Sequence, residues 1–190
     1  TMFGGIRKGN IYAWVSRPKH GKSTILSHLA TEMSVINECP ALILDTEMST
    51  VDVQFRIASA VTGIPVWYLE TGQWRKNEQM VKRFEDNKER FYKAKRNVMH
   101  MTVAGKPIQE ICSIVRRWYY THVGRGNNCV VVYDYIKLTG EKDSNKKEYE
   151  LIGEKVNTLK ELTLELDKLT AYLENLFFLV ETFFFIFFLI

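Results

Sequence analysis

The sequence predicts an α/β domain with a mostly parallel sheet and helices on both faces. Three observations predict it. Short aliphatic runs alternate along the chain with longer stretches whose apolar residues recur at helical spacing. Two of those runs, "ALILD" (41–45) and "CVVVYD" (129–134), are apolar up to a terminal acid, as strands covered on both faces are. The stretch "SRPKHGKST" (16–24) stands between the first such run and the first helical stretch. Ligands of such sheets bind beyond the carboxyl ends of the strands, so the residues there carry the functional question.

The elements follow in order. "NIYAWV" (10–15) reads as a strand before a loop containing proline and glycine. Residues 23–36 place Ile25, Leu26, Leu29, Met33 and Ile36 at helical spacing, and Pro40 separates that helix from the 41–45 strand. Residues 49–61 start with Ser, Thr and Asp cap chemistry and continue as a helix. Residues 62–72 are turn-rich. Residues 74–96 carry nine Lys/Arg against four Asp/Glu and read as a solvated helix, with a nucleic-acid surface as the alternative. "VMHMTV" (98–103) is a strand. Pro107 opens a helix with Ile111, Ile114, Val115 and Trp118 at helical spacing. The strand at 129–134 precedes a polar loop at 139–148. A long amphipathic helix then carries Ile152, Val156, Leu159, Leu162, Leu166 and Leu169 on one side.

Composition narrows the class. At 190 residues and 46% apolar, the chain can bury one full core. A net charge of +4 permits an anionic partner without arguing strongly for one. Cys39, Cys112 and Cys129 are widely spaced and odd in number, and each lies in or beside an apolar segment, which predicts reduced buried thiols. The four histidines show no metal-ligand spacing with each other or with the cysteines, and no structural zinc is expected. The opening "TMFGGIRKGN" lacks the apolar run of a signal peptide.

The chemistry concentrates at three strand ends. Gly-Lys-Ser at 21–23 ends a phosphate-binding loop, in which backbone N–H groups and the following helix N-terminus receive phosphate. Gly21 allows close approach of the backbone, Lys22 reaches the β- and γ-phosphates, and the Ser23 hydroxyl ligates Mg²⁺. Three residues recur by chance; the position between a strand and a helix is what identifies the loop. At "LDTEMS" (44–49), strand alternation puts Asp45 and Glu47 on one face. A carboxylate there can accept a proton from the water attacking the γ-phosphate, with Glu47 the preferred base and Asp45 the second candidate. Asp134 closes the 129–134 strand and would hold Mg²⁺ through its water shell.

Together "SRPKHGKS", Glu47-Met48-Ser49 and "VVVYDYIKL" (130–138) resemble the ATPase domain of DnaB-type replicative helicases, the ring-forming RecA-like motors, and particularly their phage-encoded members. That family's loop reads Ala-Arg-Pro, two variable residues, then Gly-Lys-Ser/Thr, so Ser16 in the first place is an ordinary small residue. Arg56 follows the Glu-Met-Ser motif at a fitting distance, and "GGIRKGNIYAW" (4–14) resembles the family's lead-in to its first strand. The likeness spans about residues 3–169.

The resemblance implies a RecA-like P-loop NTPase fold that binds ATP and Mg²⁺ and couples hydrolysis to translocation on single-stranded DNA and to duplex unwinding. Ser16, Arg17, Pro18, Lys19, His20, Gly21, Lys22, Ser23 and Thr24 would surround the nucleotide. Lys22 and Ser23 would bind ATP–Mg²⁺, Glu47 would be the catalytic base, and Ser23 and Asp134 would be the metal-side residues. It implies a homo-oligomeric ring, a hexamer in the intact protein, with a primase or helicase loader as further partner. The expected location is the cytoplasm of a bacterial or phage-infected cell, with no membrane partner.

Residues 1–170 would form the RecA-like core, incomplete at its C-terminal end. Residues 171–190 form an apolar, aromatic tail that reads first as a non-native end, with a membrane-seeking tail or a buried helix and strand as the alternatives. The family continues past its long helix into a strand with a Gln sensor and then an arginine finger, whereas "AYLENLFFLVETFFFIFFLI" (171–190) has no Gln, Arg or Lys. This polypeptide alone is therefore expected to bind ATP better than it turns it over. The fifteen residues 176–190, with Glu181 among them, are shorter than the roughly 20 apolar residues of a spanning helix. Other readings are a RecA-like recombinase or clock-type ATPase, a small-molecule P-loop kinase with 74–96 as its lid, and a non-catalytic nucleotide-binding remnant anchored by the tail.

Overall fold

The computed structural model describes residues 6–15, 17, 20–136, 147–167 and 185–189. Its sheet has five strands: β1 (Ile11–Trp14), β2 (Ala41–Asp45), β3 (Val98–Thr102), β4 (Val130–Asp134) and β5 (Phe185–Leu189), in the order β1-β5-β4-β2-β3. β2 pairs in parallel with both β3 and β4. β5 lies antiparallel to β1 and to β4, so β1 to β4 share one direction and β5 opposes them. The alternating order of elements predicts the parallel members; β5, drawn from the aromatic tail, is a strand that order does not anticipate. The chain leaves β4 through a cis peptide between Asp134 and Tyr135.

Among the described residues the α-helices are α1 (Lys22–Ile36), α2 (Thr50–Thr62), α3 (Val66–Glu70), α4 (Glu78–Asn97), α5 (Ile108–Trp118) and α6 (Glu148–Asp167), of which α3 packs on α2 and the others flank the sheet. Their placement follows from the two-residue period of the strands. Ala41, Ile43, Val130 and Val132 point to one face, where Leu26 and Ala30 of α1, Val53 and Ile57 of α2, and Ala94 of α4 complete a core. Leu42, Leu44, Val131 and Tyr133 point to the other, against Ile111 and Val115 of α5 and Leu159, Leu162 and Leu166 of α6. Both faces of β2 and β4 are therefore buried along their whole length, as their unbroken apolar runs require.

Local chemistry sets the helix ends. Ser49 caps α2 by accepting from the Asp52 N–H, and Gly63 ends it in the left-handed region that favours glycine. Asn77 caps α4 through the Gln79 and Met80 N–H groups. α4 buries only Ala94 fully, so the charged 74–96 stretch is a solvated helix.

Two expectations change. The helical-spacing reading of α1 counts Ile25 and Ile36 among the apolar positions, yet they are 40% and 66% exposed. The buried side is instead Leu26, Ala30, Thr31, Ser34 and Val35, small enough to bring α1 close to the sheet. The Thr31 and Ser34 hydroxyls donate to the Ser27 and Ala30 carbonyls, which lets them be buried without loss. The 62–72 stretch read as turn holds a short helix, α3, started by Pro65 at its N-cap. In α6, Leu159, Leu162 and Leu166 are buried as their spacing predicts, while Leu169 lies outside the described residues.

Candidate functional site

Strand parity builds the floor of the site. Asp45 and Asp134 continue the 41-43-45 and 130-132-134 series, so both face the layer that holds α1. They are also register partners at the tips of neighbouring parallel strands. Both are buried, at 3% and 6% exposure. Two carboxylates held side by side in a buried place need cations or hydrogen bonds to offset their desolvation and repulsion.

α1 brings the complement. Gly21, at φ +78°, is its N-cap, and no side chain caps the helix's first N–H groups. No acid stands in the first turn. Lys22, the first helical residue, is 7% exposed and donates from Nζ to the Arg17 carbonyl at 2.8 Å. The His20 N–H also reaches that carbonyl, at 3.4 Å, so the loop curls back on itself. Lys22 lies near the Asp134 carboxylate, and a lysine beside helix N–H groups that no side chain caps is an arrangement that receives an anion. The arrangement thus fits a phosphate group on an observation of this chain's own charges.

Ser23, the second residue of α1, closes the floor beside Asp134. Burial pushes the Asp134 carboxyl up to about 6, the Ser23 hydrogen bond opposes that rise, the charges of Asp45 and Glu47 add to it, and Lys22 opposes it. Asp134 therefore senses Asp45, Glu47 and Lys22. No three acidic, histidine or cysteine side chains among the described residues could hold a metal ion unaided. That is compatible with Mg²⁺, which keeps several waters and takes one or two protein oxygens plus phosphates. The hard oxygens of Ser23 and Asp134 fit it.

Glu47 has a different setting from Asp45. β2 ends at Asp45 and the chain turns, so strand alternation does not extend to Glu47, though the charges of both acids reach Asp134. Asp45 Oδ1 accepts the N–H groups of Glu47 at 2.6 Å and Met48 at 2.5 Å, closing an Asx-type turn. Oδ1 of Asp45 is thereby committed to holding the turn. Glu47 is exposed above that turn, and its Oε1 accepts a hydrogen bond from the Tyr135 hydroxyl at 3.1 Å. The turn is also tied to the edge strand: the His100 ring meets Thr50 Oγ1 at 3.0 Å, and the Thr102 hydroxyl reaches the Met48 carbonyl at 3.4 Å.

Of the residues expected around a nucleotide, Arg17, His20, Gly21 and Thr24 line the exposed rim above buried Lys22 and half-buried Ser23. Ser16, Pro18 and Lys19 lie outside the described residues. Arg56 is on the exposed side of α2. Sequence reasoning missed Tyr135, although it quotes the Asp-Tyr pair; a phenol beside a candidate site acid was the available signal.

A comparison with protein-family models matches residues 1–174 to the DnaB-like helicase C terminal domain. No curated protein matches the chain.

Proposed function

The chain belongs to the DnaB-like helicase C-terminal domain family, which makes it a RecA-like ATPase domain of the replicative-helicase type, and from this premise we propose that it couples ATP hydrolysis to movement along single-stranded DNA and to opening of the duplex. The family uses nucleotide and Mg²⁺ and forms hexameric rings on single-stranded DNA. The reading extends that to this chain as one subunit of such a ring, with a primase or loader as partner, in the cytoplasm of a bacterial or phage-infected cell.

One observation carries it: Asp45 and Asp134, buried register partners at neighbouring strand tips, lie on the layer of α1, which begins at the buried Lys22. In the proposed mechanism the N–H groups at the start of α1 and the Lys22 ammonium receive the β- and γ-phosphates. Ser23 and Asp134 would hold Mg²⁺, which supplies charge neutralisation across the phosphate oxygens. Glu47 takes the proton of the water that attacks the γ-phosphorus, from a position fixed by the Asp45 turn beneath it. A neighbouring subunit's arginine would add on the order of 10³–10⁵ in rate, as in other nucleotide hydrolases. The isolated chain is therefore proposed to bind nucleotide well and turn it over slowly.

Among the described residues no helix is long and apolar enough to cross a membrane. The test is a forked-duplex assay with ATP in the full-length protein. Unwinding that requires ATP, together with hydrolysis stimulated by single-stranded DNA, supports the reading. DNA-stimulated hydrolysis without unwinding would favour a recombinase-type ATPase instead, and phosphate transfer to a small acceptor would favour a kinase.

A further inference from the structure

We infer that Tyr135 is a positioning residue for the catalytic carboxylate: its hydroxyl holds Glu47 where it can meet the attacking water. The inference rests on the assignment of Glu47 as the base and deepens it. Glu47 stands on an exposed turn, and a glutamate side chain there would otherwise sample several rotamers, each pointing its carboxylate elsewhere. The backbone of the turn is set by Asp45, but Asp45 grips only the N–H groups of Glu47 and Met48. The Tyr135 hydroxyl reaches the carboxylate itself, donating to Oε1 at 3.1 Å.

Tyr135 is well placed to be a fixed post. It follows Asp134 directly, at the tip of a fully buried strand. It is half-buried and packs on the core cluster beneath α1 and α2, the same cluster that Met48 packs against. A tyrosine has few rotatable bonds, so a packed ring delivers its hydroxyl to one place at little further entropy cost. The two residues are 88 positions apart, and the β2–β4 register is what joins them. The contact spans the two strands whose tips bear Asp45 and Asp134. It therefore fixes the base relative to the metal-side acid.

The experiment compares Tyr135→Phe, Glu47→Gln and the double variant in the full-length protein, measuring ATP turnover, KM for ATP and Tm. Phenylalanine keeps the packed ring and removes the hydroxyl. The expected result is kcat about tenfold lower, equivalent to about 1.4 kcal/mol, with KM and Tm nearly unchanged. The double variant should be no slower than Glu47→Gln alone, because the hydroxyl acts through that carboxylate. Unchanged kcat in Tyr135→Phe, while Glu47→Gln is inactive, overturns the positioning role and leaves the base assignment standing. Full turnover in Glu47→Gln overturns the base assignment and the role of Tyr135 with it. A parallel loss of Tm in Tyr135→Phe assigns the residue to packing and also overturns the inference.

Discussion

Asp45 and Asp134 are register partners at the tips of the adjacent parallel strands β2 and β4, so two buried carboxylates meet at one point. Around that point a buried lysine, two buried aspartates and an exposed glutamate are held together by the sheet register. The consequences of this crowding can be measured without knowing the partner proteins.

Lys22→Ala should abolish detectable nucleotide binding, weakening it at least about tenfold to a hundredfold by loss of a charged contact. In nucleotide-free protein the same change should lower Tm, because it removes the cation beside the buried Asp134 carboxylate. Titration with a fluorescent ATP analogue and a thermal melt check the two halves.

Stability of the nucleotide-free chain should fall as pH rises from about 4 to about 6 on account of Asp134. Its carboxyl is pushed up to about 6 in the fold, chiefly by burial, while the unfolded chain releases that proton near pH 4. Between those values the folded form holds the extra proton, so raising the pH favours unfolding, by up to about 3 kcal/mol in all. Urea denaturation across this range should show a flatter profile for Asp134→Asn than for the parent chain. Added Mg²⁺ should stabilise the parent at pH 7 more than the variant.

Asp45→Ala should destabilise the fold by about 2–3 kcal/mol, because two N–H groups lose their carboxylate partner. Glu47→Gln, on the exposed turn, should change stability by less than about 0.5 kcal/mol. Denaturant midpoints of the two variants separate a turn-holding acid from an acid free to do chemistry.

Leu162→Ala should cost about 2–5 kcal/mol, since Leu162 is 1% exposed in the α6 core. Ile36→Ala, at a position 66% exposed, should cost less than about 0.5 kcal/mol. Equal losses from the two would contradict the described orientation of α1.

Much of this site is legible in the residues alone. Asp45 and Asp134 end unbroken apolar runs, so they are legible as acids at strand ends, and the Gly21-Lys22-Ser23 loop lies where a helix begins. What the residues do not disclose is where regular structure stops. Alternation carried Glu47 onto the face of Asp45 because nothing in "LDTEMS" announces that the strand ends at its first acid; the Asx turn that ends it depends on the buried side chain of Asp45. The buried side of α1 was misread at Ile25 and Ile36 for a related reason. Small residues with self-satisfied hydroxyls, Thr31 and Ser34, pack closer to a sheet than bulky ones, and apolar spacing does not count them. The Tyr135–Glu47 contact joins strands far apart in the chain, and the register behind it is a tertiary fact. The strand within the aromatic tail, β5, runs against the parallel sense that the βα alternation implies.

The most direct test of the whole account is Glu47→Gln in the full-length protein, with ATP affinity and DNA-stimulated turnover measured on the same preparation. The account predicts an affinity within about twofold of the parent and turnover at least about a hundredfold lower, the loss expected for removal of a general base. Turnover equal to the parent's, at unchanged affinity, would contradict it.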